Sequence, residues 1–514
     1  MKKKIGVAIV CLIVLLIGCS YFYKKQEDKM SQTESKSTTL NTKEGSSLPG
    51  AITMTLDASI TYQTIESFGT SGCWWSQYVG GWDNIYEKTG RSVRDEIAML
   101  LFDKEYGIGL TCYRYNIGAG SADSGKGVYS DVHRRTESFE TAPFTYDWNK
   151  DANAVWFMKK AVELGAKEVV MFCNSPLERL TINGMAQVTK GTKENILSEN
   201  YDDFATYVMD VAEHYVEEGV PVKFISPINE PQWDWFEGQE GCHYEPAKIA
   251  KVYRAFLEEL EGREALAGVS LSGPESGEWK GDAVSYTSAL LNDSVLSSHF
   301  NTIDNHSYWS DTESKESFKR WMEANFPEVK IRMSEWCEMV NGSDVTMDSA
   351  FHLAEVVAED LTVLDAVSWQ NWVGVAPGGY RDGLIYVNEQ KKTLNPLKRL
   401  WGYGNYSKFI RPGYQRIDVS GVSDDIDALK PVAFIGKNNA GEEEMVLVVI
   451  NETDVVKKFL LDIPNSVEYT NININETSES NDLSKIKDEK YEVGDVVEVG
   501  KQSITTIVLT KAGE

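Results

Sequence analysis

Apolar residues along most of this chain fall into two rhythms. Short runs rich in β-branched and aromatic residues alternate with longer stretches whose apolar positions recur every three or four residues. The runs read as buried strands at Ser67–Trp75, Gly109–Asn116, Glu168–Asn174, Lys223–Ile228, Val269–Pro274, Thr302–Tyr308, Lys330–Glu335 and Ala366–Trp372. The stretches read as amphipathic helices. Val93, Ile97, Leu100 and Leu101 share a face in Ser92–Phe102, and Asn153–Leu164 stops at the helix-capping Gly165. Tyr201–Glu218 and Ala247–Glu261 follow, then helical patterns near Ala283–Leu296, Glu316–Asn325 and Ser349–Leu361. Such alternation calls for a parallel sheet with helices outside it. Eight units across residues 67–404 fit an α/β fold of the (β/α)8 TIM-barrel type, and no GxGxxG follows a strand to suggest a dinucleotide-binding sheet.

From residue 405 to 514 the rhythm changes. Short alternating runs at Val432–Ile435, Met445–Ile450, Lys458–Ile463, Tyr491–Val499 and Ile504–Leu509 are parted by turn-forming residues. This predicts a C-terminal side β-sandwich. Ile52–Leu56 also alternates and has no helix to follow it, so residues 50–66 are expected to join that domain.

Before residue 50 the chain reads as address rather than fold. Lys2, Lys3 and Lys4 precede an apolar run, Ile5–Gly18, too short for the roughly 20 residues that span a bilayer. Residues 1–18 are read as a signal peptide. Leu16-Ile17-Gly18-Cys19 resembles the bacterial lipobox, which makes Cys19 the expected lipid-bearing residue and the cell surface the expected location. An uncleaved signal anchor is the alternative, because Tyr21-Phe22-Tyr23 and Lys24-Lys25 follow at once. Residues 19–49 are poor in large apolar groups and read as a flexible tether.

Charge and cysteine use narrow the function. A formal charge of −27, with no basic run beyond the N-terminus, argues against nucleic acid as a partner. Five cysteines remain outside the leader, Cys73, Cys112, Cys173, Cys242 and Cys337, without metal-binding spacing, so buried thiols are expected. The histidines are too scattered to suggest a metal site, and no cofactor is signalled.

The chemistry collects at strand ends. Lys223–Ile228 runs into Asn229-Glu230-Pro231, and Lys330–Met333 runs into Ser334-Glu335-Trp336. In a barrel both tips lie on one face, where a pair of carboxyls can divide acid and base work. The same face would gather Trp74-Trp75, Arg114, Asn174, Glu275, His306, Tyr308 and the run from Trp369 to Trp372. Glu275 is the chief competing carboxylate; Ser276 and Gly277 beside it suggest a loop and a ligand-binding or structural role. Trp74, Trp75, Trp233, Trp369 and Trp372 offer flat rings for sugar C–H faces, with core packing as the alternative. Only one of Trp74 and Trp75 is expected to face a sugar. Arg114 either supports the charged site or makes a structural ion pair.

Several motifs resemble glycoside hydrolase family 30. They are Ile65-Glu66-Ser67-Phe68-Gly69, Ser226-Pro227-Ile228-Asn229-Glu230-Pro231, Ser334-Glu335-Trp336 and Tyr406-Ser407-Lys408-Phe409-Ile410-Arg411-Pro412-Gly413. The stretch from Phe68 to Trp75, Asn229-Glu230-Pro231-Gln232-Trp233 and Gln239-Glu240-Gly241-Cys242 look most like its β-1,6-galactanase branch. The resemblance implies a retaining hydrolase with Glu230 as acid/base and Glu335 as nucleophile. Asn229 would bond a sugar 2-hydroxyl and Tyr308 would hold Glu335, while Arg114, Asn174, Trp233 and His306 would join the substrate site. Glu230 must then keep its proton at rest, an effect expected mainly from the charge of Glu335. A monomer acting on a polysaccharide is expected. β-1,6-Glucan or xylan remain alternative substrates, and a surface glycan-binding lipoprotein without turnover remains an alternative class.

Overall fold

The fold is seen in a computed structural model that describes residues 52–192, 194–421, 428–464 and 469–511. The leader, the tether and Cys19 lie outside these residues. The parallel strands are Ser67–Ser71, Cys112–Asn116, Glu168–Phe172, Val222–Ser226, Thr302–His306, Lys330–Trp336 and Ser368–Ala376, with a fifth in two pieces, Ser270–Leu271 and Pro274–Ser276. Each pairs with its neighbour in sequence, and Ser368–Ala376 pairs back onto Ser67–Ser71. The free ends of the sheet are the two halves of that fifth strand, so the sheet curls onto itself across Ser272-Gly273. Backbone bonds continue on both sides of the gap, from Ser272 N–H to Ile225 and from Asp304 N–H to Gly273, each at 2.9 Å. Pro274 has no N–H to give a ladder, which suits the break. Gly273 is required there: it has φ +140°, and a Cβ would stand 1.9 Å from the Tyr253 hydroxyl.

The expected helices flank this sheet, with ends set by local chemistry. Ser92 caps Val93–Phe102 through the Asp95 N–H, Asp311 caps Thr312–Asn325, and Thr346 caps Met347–Val363. Pro246 opens Pro246–Glu261 at a position where its missing N–H costs nothing. Most boundaries shift by a few residues, and two of the shifts are instructive. The first strand stops at Ser71 rather than Trp75, because the chain turns at Gly72 into a short helix, Trp75–Val79. The helix after the fifth strand ends at Leu291, five residues early.

The second sheet has nine strands in one hydrogen-bonded path, so it is one sheet rather than two. Ile52–Thr64 lies inside it, antiparallel to Gln415–Gly421 and parallel to Lys457–Asp462. The sheet folds around its own core, where Met54 and Leu56 meet Leu447, Phe459, Ile472, Val497 and Ile507. Its other face packs on the parallel-stranded part. In Glu443–Asn451, Met445, Leu447 and Val449 fill the sheet's own core, while Val446, Val448 and Ile450 join the main one. A strand covered on both faces is apolar at every position, so Met445–Ile450 does not alternate as expected but is apolar throughout. The junction motif fastens the two parts. Lys408 donates to the carbonyls of Glu105 and Gly107, and Arg411 donates to that of Gly109 at 2.6 Å.

Candidate active site

The tips of four parallel strands bring one buried group of charges together. Arg114 comes from the second strand, Glu275 from the fifth, His306 from the sixth and Glu335 from the seventh. Glu230 stands just beyond the fourth, its N–H bonded to the Glu275 carbonyl at 2.9 Å. Arg114, wholly buried, stacks 3.7 Å over the Phe172 ring. Its guanidinium donates to Glu335 Oε2 and to Asn229 Oδ1 at 3.0 Å, and forms an ion pair with Glu275 Oε2 at 3.3 Å. Tyr308 donates its hydroxyl to Glu335 Oε1 at 3.0 Å. His306 lies between carboxyl groups, Nε2 at 2.9 Å from Glu275 and Nδ1 at 3.2 Å from Glu230. Ser334 adds a bond to Glu275 Oε2 at 2.5 Å.

These contacts assign the protons. Burial alone would neutralise His306, but the charge of Glu335 and its bonds to Glu230 and Glu275 push its pKa up to about 10. Burial works against the Glu275 carboxylate too, yet Arg114 and His306 outweigh it and hold its pKa at about 2. Glu230 is raised above the ordinary carboxylate range, chiefly by burial; the charge of Glu335 is a smaller contribution, which corrects the sequence-based expectation. His306 Nδ1–H donates to Glu230 Oε1, so the Glu230 proton belongs on Oε2, which has no protein partner among the described residues.

Oxygens of Glu230 and Glu335 lie within 4.8 Å of each other. That closeness lets both carboxyls reach the same bond of a substrate in the cleft. His306 and the two glutamates are also close enough to ligate a cation. An imidazolium has no lone pair to offer, so the arrangement suits hydrogen bonding better than metal binding.

The carboxyls open into a cleft of about 770 Å³, lined by Trp74, Asn229, Trp233, Tyr308, Trp372 and the loop after the eighth strand, among others. Arg114 fixes Asn229 Oδ1 as an acceptor, which leaves the amide nitrogen to donate toward the cleft. Of the adjacent tryptophans, Trp74 faces the cleft and packs edge-on to Trp372 at 5.4 Å, with Arg134 at 5.1 Å over its ring. Trp75 touches the cleft floor but is core, its N–H given to the Ser71 carbonyl and its ring against Phe157.

Four residues expected at the substrate do not reach it. Trp369 and Trp372 are three apart on one strand and so point to opposite faces. Trp369 is fully buried against the helix side and donates to Asp360. Asn174 lies below the cleft, bonded to Asn116 at 2.9 Å. Arg114 and His306 lie behind the carboxyls with no exposed surface, and they position the glutamates instead of touching sugar. Glu275 is in a strand, not a flexible loop, and is wholly buried. The five cysteines are free and buried. Sequence reasoning passed over Trp309, Trp235 and Arg134, which also line the cleft. The Tyr308-Trp309 adjacency at the sixth strand end was the available signal for the first.

Two carboxyls close together at parallel-strand tips, one with its pKa raised by burial and one held by a guanidinium, are the working parts of a glycoside hydrolase. The chain belongs to O-glycosyl hydrolase family 30, whose family model matches residues 51–386. It is 25% identical to an endo-β-1,6-galactanase of Hypocrea rufa over 427 residues, 78% of this chain and 81% of that protein. Among solved structures it resembles a conserved exported protein of Bacteroides fragilis, with TM-score 0.77 and 25% identity over 89% of this chain and all of that one. It also resembles the catalytic domain of family 30 xylanase C from Talaromyces cellulolyticus, with TM-score 0.70 and 21% identity over 89% of this chain and all of that one.

The buried network sets a pH-dependent expectation. Glu275→Gln leaves Arg114 and His306 short of a counter-charge and should destabilise the fold by about 3–5 kcal/mol. The Glu275 pKa falls from 4.5 to about 2 on folding, so its stabilisation is present above pH 4.5 and lost as pH falls through 2. Urea unfolding of both proteins across this range should show the difference shrinking toward acid; a constant difference refutes the charge assignment.

Proposed function

We propose that this chain is a retaining hydrolase of β-1,6-linked galactan that works by double displacement. The observation that carries the mechanism is the placement of Glu230 and Glu335 oxygens within 4.8 Å, with only Glu335 held by a guanidinium. In this reading Glu335 attacks the anomeric carbon, and its negative charge passes into the new ester bond. Glu230 gives its proton to the departing oxygen as that bond breaks. Water then enters, Glu230 takes a proton from it, and the hydroxide displaces Glu335 with net retention. Asn229 holds the 2-hydroxyl through its amide nitrogen. Tyr308 and Arg114 keep the Glu335 carboxylate facing the sugar before attack.

The galactan assignment is supported by the relationship to the Hypocrea rufa enzyme and by the motifs around Trp74 and Trp233. We read the curled sheet as a (β/α)8 barrel closed through its split fifth strand, with the nine-stranded sheet as its side β-domain. The leader implies a lipid anchor at Cys19 on the outer face of a bacterial membrane. Labelled palmitate should enter the wild-type protein and not Cys19→Ser; labelling of both rules out Cys19 as the anchor.

Galactan, β-1,6-glucan and xylan oligosaccharides, digested in parallel, test the substrate. Only the galactan series should be cut, and proton NMR should show the β-anomer forming first. Preferred cleavage of another glycan replaces the substrate; an α-anomer forming first removes the mechanism.

Glu230→Ala separates acid catalysis from binding. Galactan cleavage should fall by about 10²–10⁴-fold, while an aryl glycoside with an acidic phenol should keep its first step. Azide needs no base, so it should restore turnover and give a β-glycosyl azide. Equal loss on both substrates, with no response to azide, would make Glu230 a binding residue.

A further inference from the structure

We propose that Trp309, with Trp233, is the platform for the sugar on the leaving-group side of the bond to be cut, so that Trp309 selects for a chain that continues past this bond. The inference rests on Glu230 being the acid.

The aromatic residues of the cleft stand in two groups on opposite sides of the sheet ring. Trp74 and Trp372 belong to the first and eighth strands, which are neighbours. Trp233 and Trp309 follow the fourth and sixth, about half a ring away. Trp233 is tied to the acid, its backbone N–H donating to the Glu230 carbonyl at 3.2 Å. Trp309 packs edge-on to Trp233 with ring centres 5.7 Å apart, and lies 5.5 Å from the ring of Tyr308, which holds Glu335. Because Glu230 must protonate the leaving oxygen, the sugar carrying that oxygen lies on the Trp233–Trp309 side.

The two groups also differ in exposure. Trp74 is 8% exposed, whereas Trp233 is 42% and Trp309 is 52% exposed. Two large rings left open to water at the wall of a cleft mark a surface that something apolar covers. The Trp309 backbone agrees. Its φ is +48°, a left-handed conformation uncommon for a bulky residue. The turn is pinned on each side: Ser310 Oγ donates to the Tyr308 carbonyl at 3.0 Å and accepts from the Trp279 N–H at 2.8 Å, while Lys280 reaches the Trp309 carbonyl. These bonds hold the ring outward. Strain of this kind persists where surrounding structure over-determines it, commonly at binding sites. An exposed indole in that position matches the C–H face of a pyranose ring.

The test compares two substrates that share the glycosyl group and differ in what leaves. One is an oligosaccharide of the glycan that the wild type cleaves; the other is the matching β-glycosyl fluoride, whose leaving group occupies no sugar site. Trp309→Ala should lower kcat/KM on the oligosaccharide on the order of tenfold and leave the fluoride within about twofold. Trp309→Phe, which keeps a flat ring, should recover most of the loss. With the fluoride as donor and an added acceptor sugar, the wild type should form transfer product, and Trp309→Ala should chiefly hydrolyse. Equal loss on both substrates, or undiminished transfer to the acceptor, overturns the inference while leaving the hydrolase reading intact. A wild type that cleaves no oligosaccharide and leaves the fluoride intact overturns both.

Discussion

Everything at this site depends on neutralising charge among side chains buried at the floor of the cleft. Arg114 and the imidazolium of His306 bring two positive charges into the strand tips, and Glu275 and Glu335 answer them. A fifth charge would have no partner, and an unpaired ion in a dry interior is far more costly than a retained proton. Glu230 is therefore the group pushed toward its neutral form. The division of labour between two chemically identical side chains is thus settled by the surroundings of each, Glu335 against a guanidinium and Glu230 beside an already committed histidine. His306 keeps its charge through Glu335 and the bonds to Glu230 and Glu275, the last of which never meets the cleft.

The hydrogen-bonding frame makes this electrostatic arrangement rigid. A carboxylate that turned freely would waste much of its chance to attack, whereas Glu335 has a donor on each oxygen. Arg114 serves two tasks with one planar group, holding the Glu335 carboxylate and setting which way the Asn229 amide faces. A lysine could not reproduce that fork.

The sequence was most legible where one local rule decides the outcome. A run of apolar residues ending in a carboxylate puts that carboxylate at a strand tip, and two such runs identified Glu230 and Glu335. Helix faces and capping residues marked most of the helices to within a few residues. Outcomes that depend on several distant strands were harder to read. His306 looks like a substrate ligand until the glutamates from the fourth and fifth strands enclose it, and Trp369 until strand parity turns it toward Asp360. The nine-stranded sheet was hidden because Glu443–Asn451 and Ser503–Lys511 at its middle are buried on both faces, which erases the alternation that would separate inside from outside. Trp309 was missed because an indole in a polar turn is informative only once it is seen to be exposed.

The place of Ile52–Thr64 within the second sheet has a consequence for how the protein comes into being. Thr55 bonds to Asp462, 407 residues away, so this early strand finds its neighbours only when nearly the whole polypeptide has left the ribosome. Until then Met54 and Leu56 lack the core that buries them. The parallel-stranded part can assemble progressively as successive strand–helix units emerge, since each strand pairs with the one made before it. The side sheet cannot, because Ile52–Thr64 must close a loop of about four hundred residues to meet Lys457–Asp462. That pairing ties an early strand to a late one. A premature stop before Gln415 would therefore remove both neighbours of Ile52–Thr64 and leave that strand unpaired.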